Sequence, residues 1–187
     1  MTASRSALAA FGTLLCVALA AGCDARTSPP VVARSALADS ADQVMFGARF
    51  HLTDKGLARA ELLSDTAYFF DDNTRVELRK VDMTFYTMSG ARDAYLTSKR
   101  GTYGSRLGMM IARQDVVVIT EEGRRLTTPE LKYDQSSNEI SSDSSFVLTE
   151  PGRRLEGIGF RSDPNMQSVQ ILKTKSGTTG AVTLPGQ

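Results

Sequence analysis

Residues with distinctive side-chain chemistry are scarce in this chain of 187 residues. Tryptophan is absent, His51 is the only histidine, and the two cysteines, Cys16 and Cys23, both lie near the amino terminus. A structural zinc site needs four ligands, and a disulfide framework needs several cysteines spread through the domain. The composition excludes both, and it gives no reason to expect a metal or another cofactor.

An excess of charge of one sign is also missing. The 22 basic residues nearly balance the 21 acidic ones, and Arg5 is the only charged residue among the first 22. Nucleic-acid binding normally leaves a basic excess, so nothing here indicates a nucleic-acid partner. The length fits one domain, and the hydrophobic content of 41% is ordinary for a soluble core.

Long apolar runs are absent except at the amino terminus, where one covers residues 7–19 after Arg5. Its length is typical of a signal peptide and is short for a membrane-spanning helix. Residues 19–23, with the sequence LAAGC, resemble a lipobox, in which cleavage precedes a cysteine that has received a diacylglycerol. We therefore expect residues 1–22 to be a lipoprotein signal peptide and Cys23 to carry the lipid. An ordinary signal peptide with an incidental Cys23 is the alternative.

Residues 23–43 are rich in Ser, Ala, Pro and Asp and show no sustained apolar period, which predicts a flexible tether. Asp24 directly follows the cysteine, which resembles the signal that retains enterobacterial lipoproteins at the inner membrane. The expected location is the periplasmic face of the inner membrane, and the outer membrane is the alternative.

Beyond the tether, turn-forming residues recur at short intervals and separate stretches of alternating apolar and polar residues. This pattern predicts an all-β antiparallel domain over residues 44–173, followed by a flexible tail at 174–187. A change of phase at Arg79–Lys80 predicts a bulge or bend. No helix period is evident. The strands that we expect cover residues 46–53, 76–85, 95–103, 109–120, 125–133, 140–149, 155–161 and 168–173.

Similar stretches repeat within this domain, since Leu96, Leu126 and Leu155 follow one another at intervals of 30 and 29 residues. Such a period equals two strands with their turns, so each repeat is expected to add one hairpin to a stack. Ordinary core packing is the alternative explanation for the repeated leucines.

Longer strings carry a family resemblance. The run DVVVITEEGRRLTTPELKYD (115–134), then NEISSD (138–143) and LEGIGF (155–160), resembles the LptC family of periplasmic lipopolysaccharide-export proteins. The likeness covers about residues 44–173. It implies an open, twisted antiparallel β-jellyroll of the OstA type, as in LptA and the N-terminal part of LptD. The chain departs from the family in its anchor, because well-known LptC proteins span the inner membrane with an uncleaved helix.

The resemblance implies a carrier and not an enzyme. Lipopolysaccharide, extracted by an inner-membrane ABC transporter of the LptB/LptF/LptG type, would place its acyl chains in an apolar trough and pass to an LptA-like bridge protein. An envelope lipoprotein or adaptor that binds protein but no lipid is the alternative function. The alternation gives the side chains expected to face the trough and bind lipid: Met83, Phe85, Leu96, Met109, Ile111, Val116, Val118, Leu126, Leu131, Tyr133 and Ile140.

The last β-prone run is expected to be a sheet edge, and an unpaired edge can accept a further strand. Because the C-terminal part of the family's domain meets LptA, the resemblance implies that this strand receives the bridge protein. A terminal edge without a partner is the alternative. The strand consists of Ser168, Val169, Gln170, Ile171, Leu172 and Lys173.

Basic doublets form another candidate feature. They could bind lipid phosphates if they align on one rim, or they are solvated residues that protect strand edges. The doublets are Arg79-Lys80, Lys99-Arg100, Arg124-Arg125 and Arg153-Arg154.

Signs of an active site are weak. His51 has no neighbouring cysteine, and in the run Gly104 to Gly108 the serine stands one place too early for a nucleophile motif. The acidic pairs Asp71-Asp72 and Glu121-Glu122 fall in predicted turns, where acidic residues are common. A β-solenoid polysaccharide hydrolase is the enzymatic alternative, because its carboxylates need no sequence motif.

Overall fold

A computed structural model describes residues 36–179. Its nine strands form one sheet in chain order, each antiparallel to the next. This arrangement confirms the prediction of an all-β, open antiparallel jellyroll. The elements are α1 (Ala36–Ser40), β1 (Gln43–Asp54), β2 (Leu57–Phe70), β3 (Arg75–Tyr86), β4 (Arg92–Gly104), β5 (Met109–Thr120), β6 (Arg125–Asp134), β7 (Glu139–Glu150), β8 (Arg153–Ser162) and β9 (Gln170–Thr179).

Irregularities near the middle of the strands bend the sheet. Lys80 has a φ of 56° and the pairing keeps its register across it, so the bulge or bend expected there is a bend. Gln114 and Asp115 have φ values of 65° and 53°, and the register with β6 shifts there, which makes a bulge. These irregularities divide the sheet into two parts that we call half-sheets. The first half-sheet ends at the turns after β1, β3, β5 and β7. The second ends at the turns after β2, β4 and β6 and at the loop after β8.

Buried hydroxyl groups stabilise these bends. The hydroxyl of Ser64 donates to the carbonyl oxygen of Arg79 at 2.7 Å, and that of Ser98 donates to the carbonyl of Arg100 at 2.9 Å. The hydroxyl of Thr128 likewise donates to the backbone carbonyl oxygen of the residue two places ahead. A bulge removes ladder partners from backbone carbonyls, and a buried carbonyl without a partner is costly. These side chains therefore make the bends part of the folded structure.

The inner face of each half-sheet carries an apolar row that crosses neighbouring strands. In the first half-sheet, directly paired residues form the row Phe50, Leu62, Met83, Leu96, Val118, Leu126, Leu148 and Leu155. In the second, the row is Phe69, Val76, Tyr103, Met110, Tyr133 and Ile140. The ring centroids of Phe85 and Tyr133, one from each half-sheet, are 4.9 Å apart. The half-sheets therefore pack inner face to inner face around one core.

The ends of the domain differ from the sequence-based boundaries. A short helix, α1, lies within the segment predicted as a tether, and β1 begins at Gln43. At the other end β9 continues to Thr179, so residues 174–179 of the predicted tail are strand. Backbone pairing with β8 explains this difference, because a ladder of hydrogen bonds needs no apolar side chains. Residues 1–35 and 180–187, with the predicted signal peptide and Cys23, lie outside the described residues.

Candidate functional site

The interior between the half-sheets contains most of the side chains predicted to line a trough. Nine of the eleven face inward, and each is at most 1% exposed. They are Met83, Phe85, Leu96, Val116, Val118, Leu126, Leu131, Tyr133 and Ile140. In this structure they pack against one another, so the candidate lipid site is a closed apolar core.

Met109 and Ile111 were predicted to face inward, and this prediction is wrong. Met110 and Ala112, their neighbours in β5, are buried, and successive strand residues point to opposite faces. The two-residue bulge at Gln114 and Asp115 keeps the even-numbered positions inward on both sides of the bend. The sequence reading favoured the larger side chains and overlooked the fact that a small residue, Ala112, fills the inner position.

The tips of the half-sheets meet on the side opposite the bend, and we call these contacts the seam. The side-chain amide of Gln135, in the turn after β6, donates to the carbonyl oxygen of Thr53 near the end of β1. Arg124, in the turn after β5, donates to the carbonyl oxygen of Asn165 in the loop after β8 at 2.9 Å. The seam closes the interior from solvent through a small number of polar contacts.

The loop between β8 and β9 provides one side of the seam. Met166 has a φ of 56° and is 2% exposed, and it belongs to the hydrophobic core. Burial raises the pKa of Asp93, and the negative charges of Asp163 and Glu122 raise it further, while a hydrogen bond from Asn165 opposes the rise. The loop therefore places an apolar side chain in the core and adds a carboxylate to a cluster of like charges.

Deep burial also raises the pKa of Tyr133, near the tip of the second half-sheet. Its hydroxyl donates to the side-chain oxygen of Asn138 at 3.0 Å. The phenol is therefore neutral across the physiological pH range, and its hydroxyl provides a hydrogen bond at the margin of the apolar core.

A groove of about 850 Å³ lies on the outer face beside the bend. Directly paired residues of three strands, Val117, Thr127 and Val147, form part of its floor. The ion pair of Lys99 with Asp115, at 2.5 Å, lies at its rim. These outward positions alternate with the buried Val116 and Val118, which confirms the predicted register of this half of β5.

The predicted partner strand lies at the edge of the sheet, since β9 is last in the strand order. Ser168 and Val169 precede it, while Gln170, Ile171, Leu172 and Lys173 belong to it. Leu172 is 60% exposed. The edge prediction therefore applies to residues 170–179, and pairing with another protein stays a prediction.

The basic doublets do not align on one rim as hypothesised. Arg79 pairs directly with Arg100 at the bend. Arg125 and Arg154 both pair with Thr149 near the tips of the first half-sheet. The four doublets therefore form two separate surfaces.

Evidence for a metal-dependent site is lacking in the part of the chain that the structure describes. Within residues 36–179, no cluster of three or more His, Cys, Asp or Glu side chains could hold a metal ion. His51 is exposed and lies 3.9 Å from Glu61. The same residues include no helix with the length and apolarity needed to cross a membrane.

These features define the structural class of the protein, which is a bent β-jellyroll made of a single sheet with an apolar interior. A family model described as "Lipopolysaccharide-assembly, LptC-related" matches residues 8–179. The chain belongs to this family, which confirms the resemblance seen in the sequence. Family membership assigns the protein a role in lipopolysaccharide transport in the cell envelope, in a family of transport components and not of enzymes. A search among curated proteins found no match.

Proposed function

We propose that this protein is a lipid-anchored periplasmic component of lipopolysaccharide export. It receives lipopolysaccharide from an inner-membrane ABC transporter of the LptB/LptF/LptG type and passes it to an LptA-like bridge protein. The observation that carries this proposal is the continuous apolar row of the first half-sheet, from Phe50 in β1 to Leu155 in β8. An apolar lining that extends almost from one sheet edge to the other is what a conduit for acyl chains requires.

Acyl chains must replace contacts that the half-sheets make with each other, because the lining residues are buried. Each methylene moved from water into this interior contributes about 0.8 kcal/mol, so several chains offset the loss of a few seam contacts. The flexible thioethers of Met83 and Met110 can repack around chains of different length. We infer that the seam opens during loading and that the bend acts as the hinge.

The anchor and the transfer step complete the proposal. Acylation at Cys23 would keep the domain at a membrane, and the tether would give it reach. The edge of β9 would pair with the bridge protein by strand addition and join the two interiors. The predicted inner-membrane location follows from Asp24 and from the need to reach the transporter.

A protein adaptor that binds no lipid is the second candidate, and the closed interior favours it. A photo-crosslinking amino acid at Phe85, which is fully buried, tests the two in cells with an active transporter. The matched control is the same amino acid at Tyr95, an aromatic residue on the outer face of the next strand that is 42% exposed. The carrier predicts lipopolysaccharide adducts from position 85 and few from position 95.

Adducts with protein alone from both positions would support the adaptor. Equal lipopolysaccharide adducts from both would show that the lipid contacts the surface and not the interior.

A further inference from the structure

A row of directly paired residues that includes three arginines crosses the outer face of the bend. Phe46, Thr66, Arg79, Arg100 and Arg113 are directly paired in succession from β1 to β5. Directly opposite residues of antiparallel strands project from the same face. The sheet register therefore places three arginines side by side, with Phe46 at the edge of the same row and the small, buried Thr66 between them. We call this the bend row.

Electrostatic repulsion within the bend row is only partly relieved. Like charges directly opposite each other destabilise a sheet. Arg113 donates to the carboxylate of Glu130 at 2.8 Å. Among the described residues, Arg79 and Arg100 form no ion pair. These two guanidinium groups are a local surplus of positive charge in a chain that is otherwise balanced.

Neighbouring residues do not cancel this surplus. The ammonium group of Lys80 lies 3.7 Å from the carboxylate of Asp65, and that of Lys99 lies 2.5 Å from the carboxylate of Asp115, so these neighbouring positions at the bend are locally neutral. The carboxylates of Asp65 and Asp115 are thus already paired with lysines. An external anionic surface would offset the repulsion between Arg79 and Arg100.

Phe46 adds an apolar element to the same surface. It is 78% exposed. An exposed aromatic side chain on the same face as uncompensated arginines, separated from them by one strand, is a combination that suits the interface of an anionic bilayer. An aromatic ring enters the head-group boundary while guanidinium groups contact phosphates.

We propose that the bend row rests on the surface of an anionic phospholipid bilayer. Cys23 precedes the start of α1 by 13 residues, and an extended chain of that length would span roughly 45 Å, so the proposed anchor permits this contact. The inference rests on the proposed function only in that the acylated Cys23 holds the domain near a membrane. With the bend on the bilayer, the seam faces away from it, so lipid loading and membrane contact use opposite sides of the domain.

The absence of tryptophan provides a direct test. In the acylated full-length chain, Phe46→Trp introduces one fluorescent reporter. In vesicles of phosphatidylglycerol and phosphatidylcholine we expect a blue-shifted emission that brominated lipids quench, whereas vesicles of phosphatidylcholine alone should give neither. The matched control is Leu107→Trp, at a residue 77% exposed in the turn after β4, which should respond to neither vesicle.

A second arm tests the arginines. Each cation near an anionic bilayer strengthens binding about fivefold, so Arg79→Gln with Arg100→Gln in the F46W chain should lower the bound-to-free ratio of the indole by roughly thirtyfold. Arg92→Gln with Arg106→Gln removes the same charge from exposed positions elsewhere and should change the ratio little.

Three results would overturn the proposal: an F46W emission that anionic vesicles leave unchanged, an equal response of L107W, or an equal loss from both arginine pairs. A blue shift that appears only when a protein partner is added would assign the row to that partner instead. Because these vesicles contain no lipopolysaccharide, failure of the vesicle experiment leaves the crosslinking result at Phe85 unaffected, and the two proposals fail separately.

Discussion

Strands β1 and β9 are the two edges of one sheet, and they present different surfaces. β1 exposes Met45 and Phe46, whereas β9 exposes Leu172 among lysine, threonine and glycine residues. Lysine on an edge strand limits uncontrolled strand pairing, while an exposed aromatic residue needs a cover. The difference is consistent with the two proposals above, in which β9 receives a protein strand and the surface beside β1 meets a bilayer.

The edges are also held by different means. A β-carbon at Gly157, which pairs with β9, would lie 2.7 Å from the carbonyl oxygen of Lys173 and from the ring of Phe146. Gly47 in β1 has a φ of 61° and no heavy atom within 4 Å of such a carbon. Close packing therefore fixes β9, and backbone conformation shapes β1.

The largest effect is expected from Gly157→Ala. The added methyl must displace β9 or Phe146, which should lower the free energy of unfolding by about 2 kcal/mol. Urea denaturation measures the loss, and hydrogen exchange should show that β9 opens more readily than β1. Gly104→Ala is the control, because its nearest contact is 3.8 Å away and it should cost little. Equal exchange at both edges in the Gly157 variant would contradict the distinction.

A smaller effect is expected from Arg124→Ala, which releases the loop that leads into β9. Arg124 donates to Asn165 and approaches Glu150 at 3.5 Å, with its side chain only 26% exposed. Loss of this charged hydrogen bond should cost about 1.5 kcal/mol and speed proteolysis of the loop. Arg153→Ala removes a more exposed partner of the same Glu150 at 3.7 Å and should cost less than about 1 kcal/mol. The prediction fails if proteolysis of the loop is equally fast in both variants.

The smallest effect concerns pH and Asp93→Asn. The pKa of Asp93 is raised in the folded protein, so the wild type binds this proton more tightly when folded and loses stability as pH rises through the raised pKa. Asparagine at position 93 cannot ionise, so the variant does not lose this stability as the pH rises. The variant should gain stability relative to wild type at neutral pH, and the gain should disappear below pH 3.8, the ordinary pKa of this carboxyl group. Chemical denaturation at both pH values measures the gain, and a gain independent of pH would show that protonation of Asp93 is not its cause.

Strand positions were predictable because the polar and apolar alternation is strong. The limits of β5, residues 109–120, agree with the structure, and most other predicted strands lie within one to three residues of their observed ends. The strand β2 was missed, since Leu62 and Leu63 are consecutive apolar residues and the irregularity at Asp65 shifts the phase. A pattern that changes phase within one strand hides its period from a sequence reading.

Most of the candidate interior was also predictable, and the errors are local. Nine of eleven inward residues were correct because a buried strand face must be apolar. Met109 and Ile111 were misassigned because a hydrophobic outer face looks like an inner one. Met166 lies in a loop without periodicity, so only its tertiary contacts identify it as part of the core.

The sequence by itself determined the β class, the strand spacing, the family and most of the inward face, because these depend on side-chain chemistry repeated at short range. Only the tertiary structure decided that the half-sheets close on each other, that the loop after β8 seals the seam, and that Arg79 lies beside Arg100. Those relations join residues far apart in the chain, and they depend on strand register and on bulges. A one-residue shift in register reverses which face a side chain occupies, and hydrogen-bond pairing across the whole sheet fixes that register.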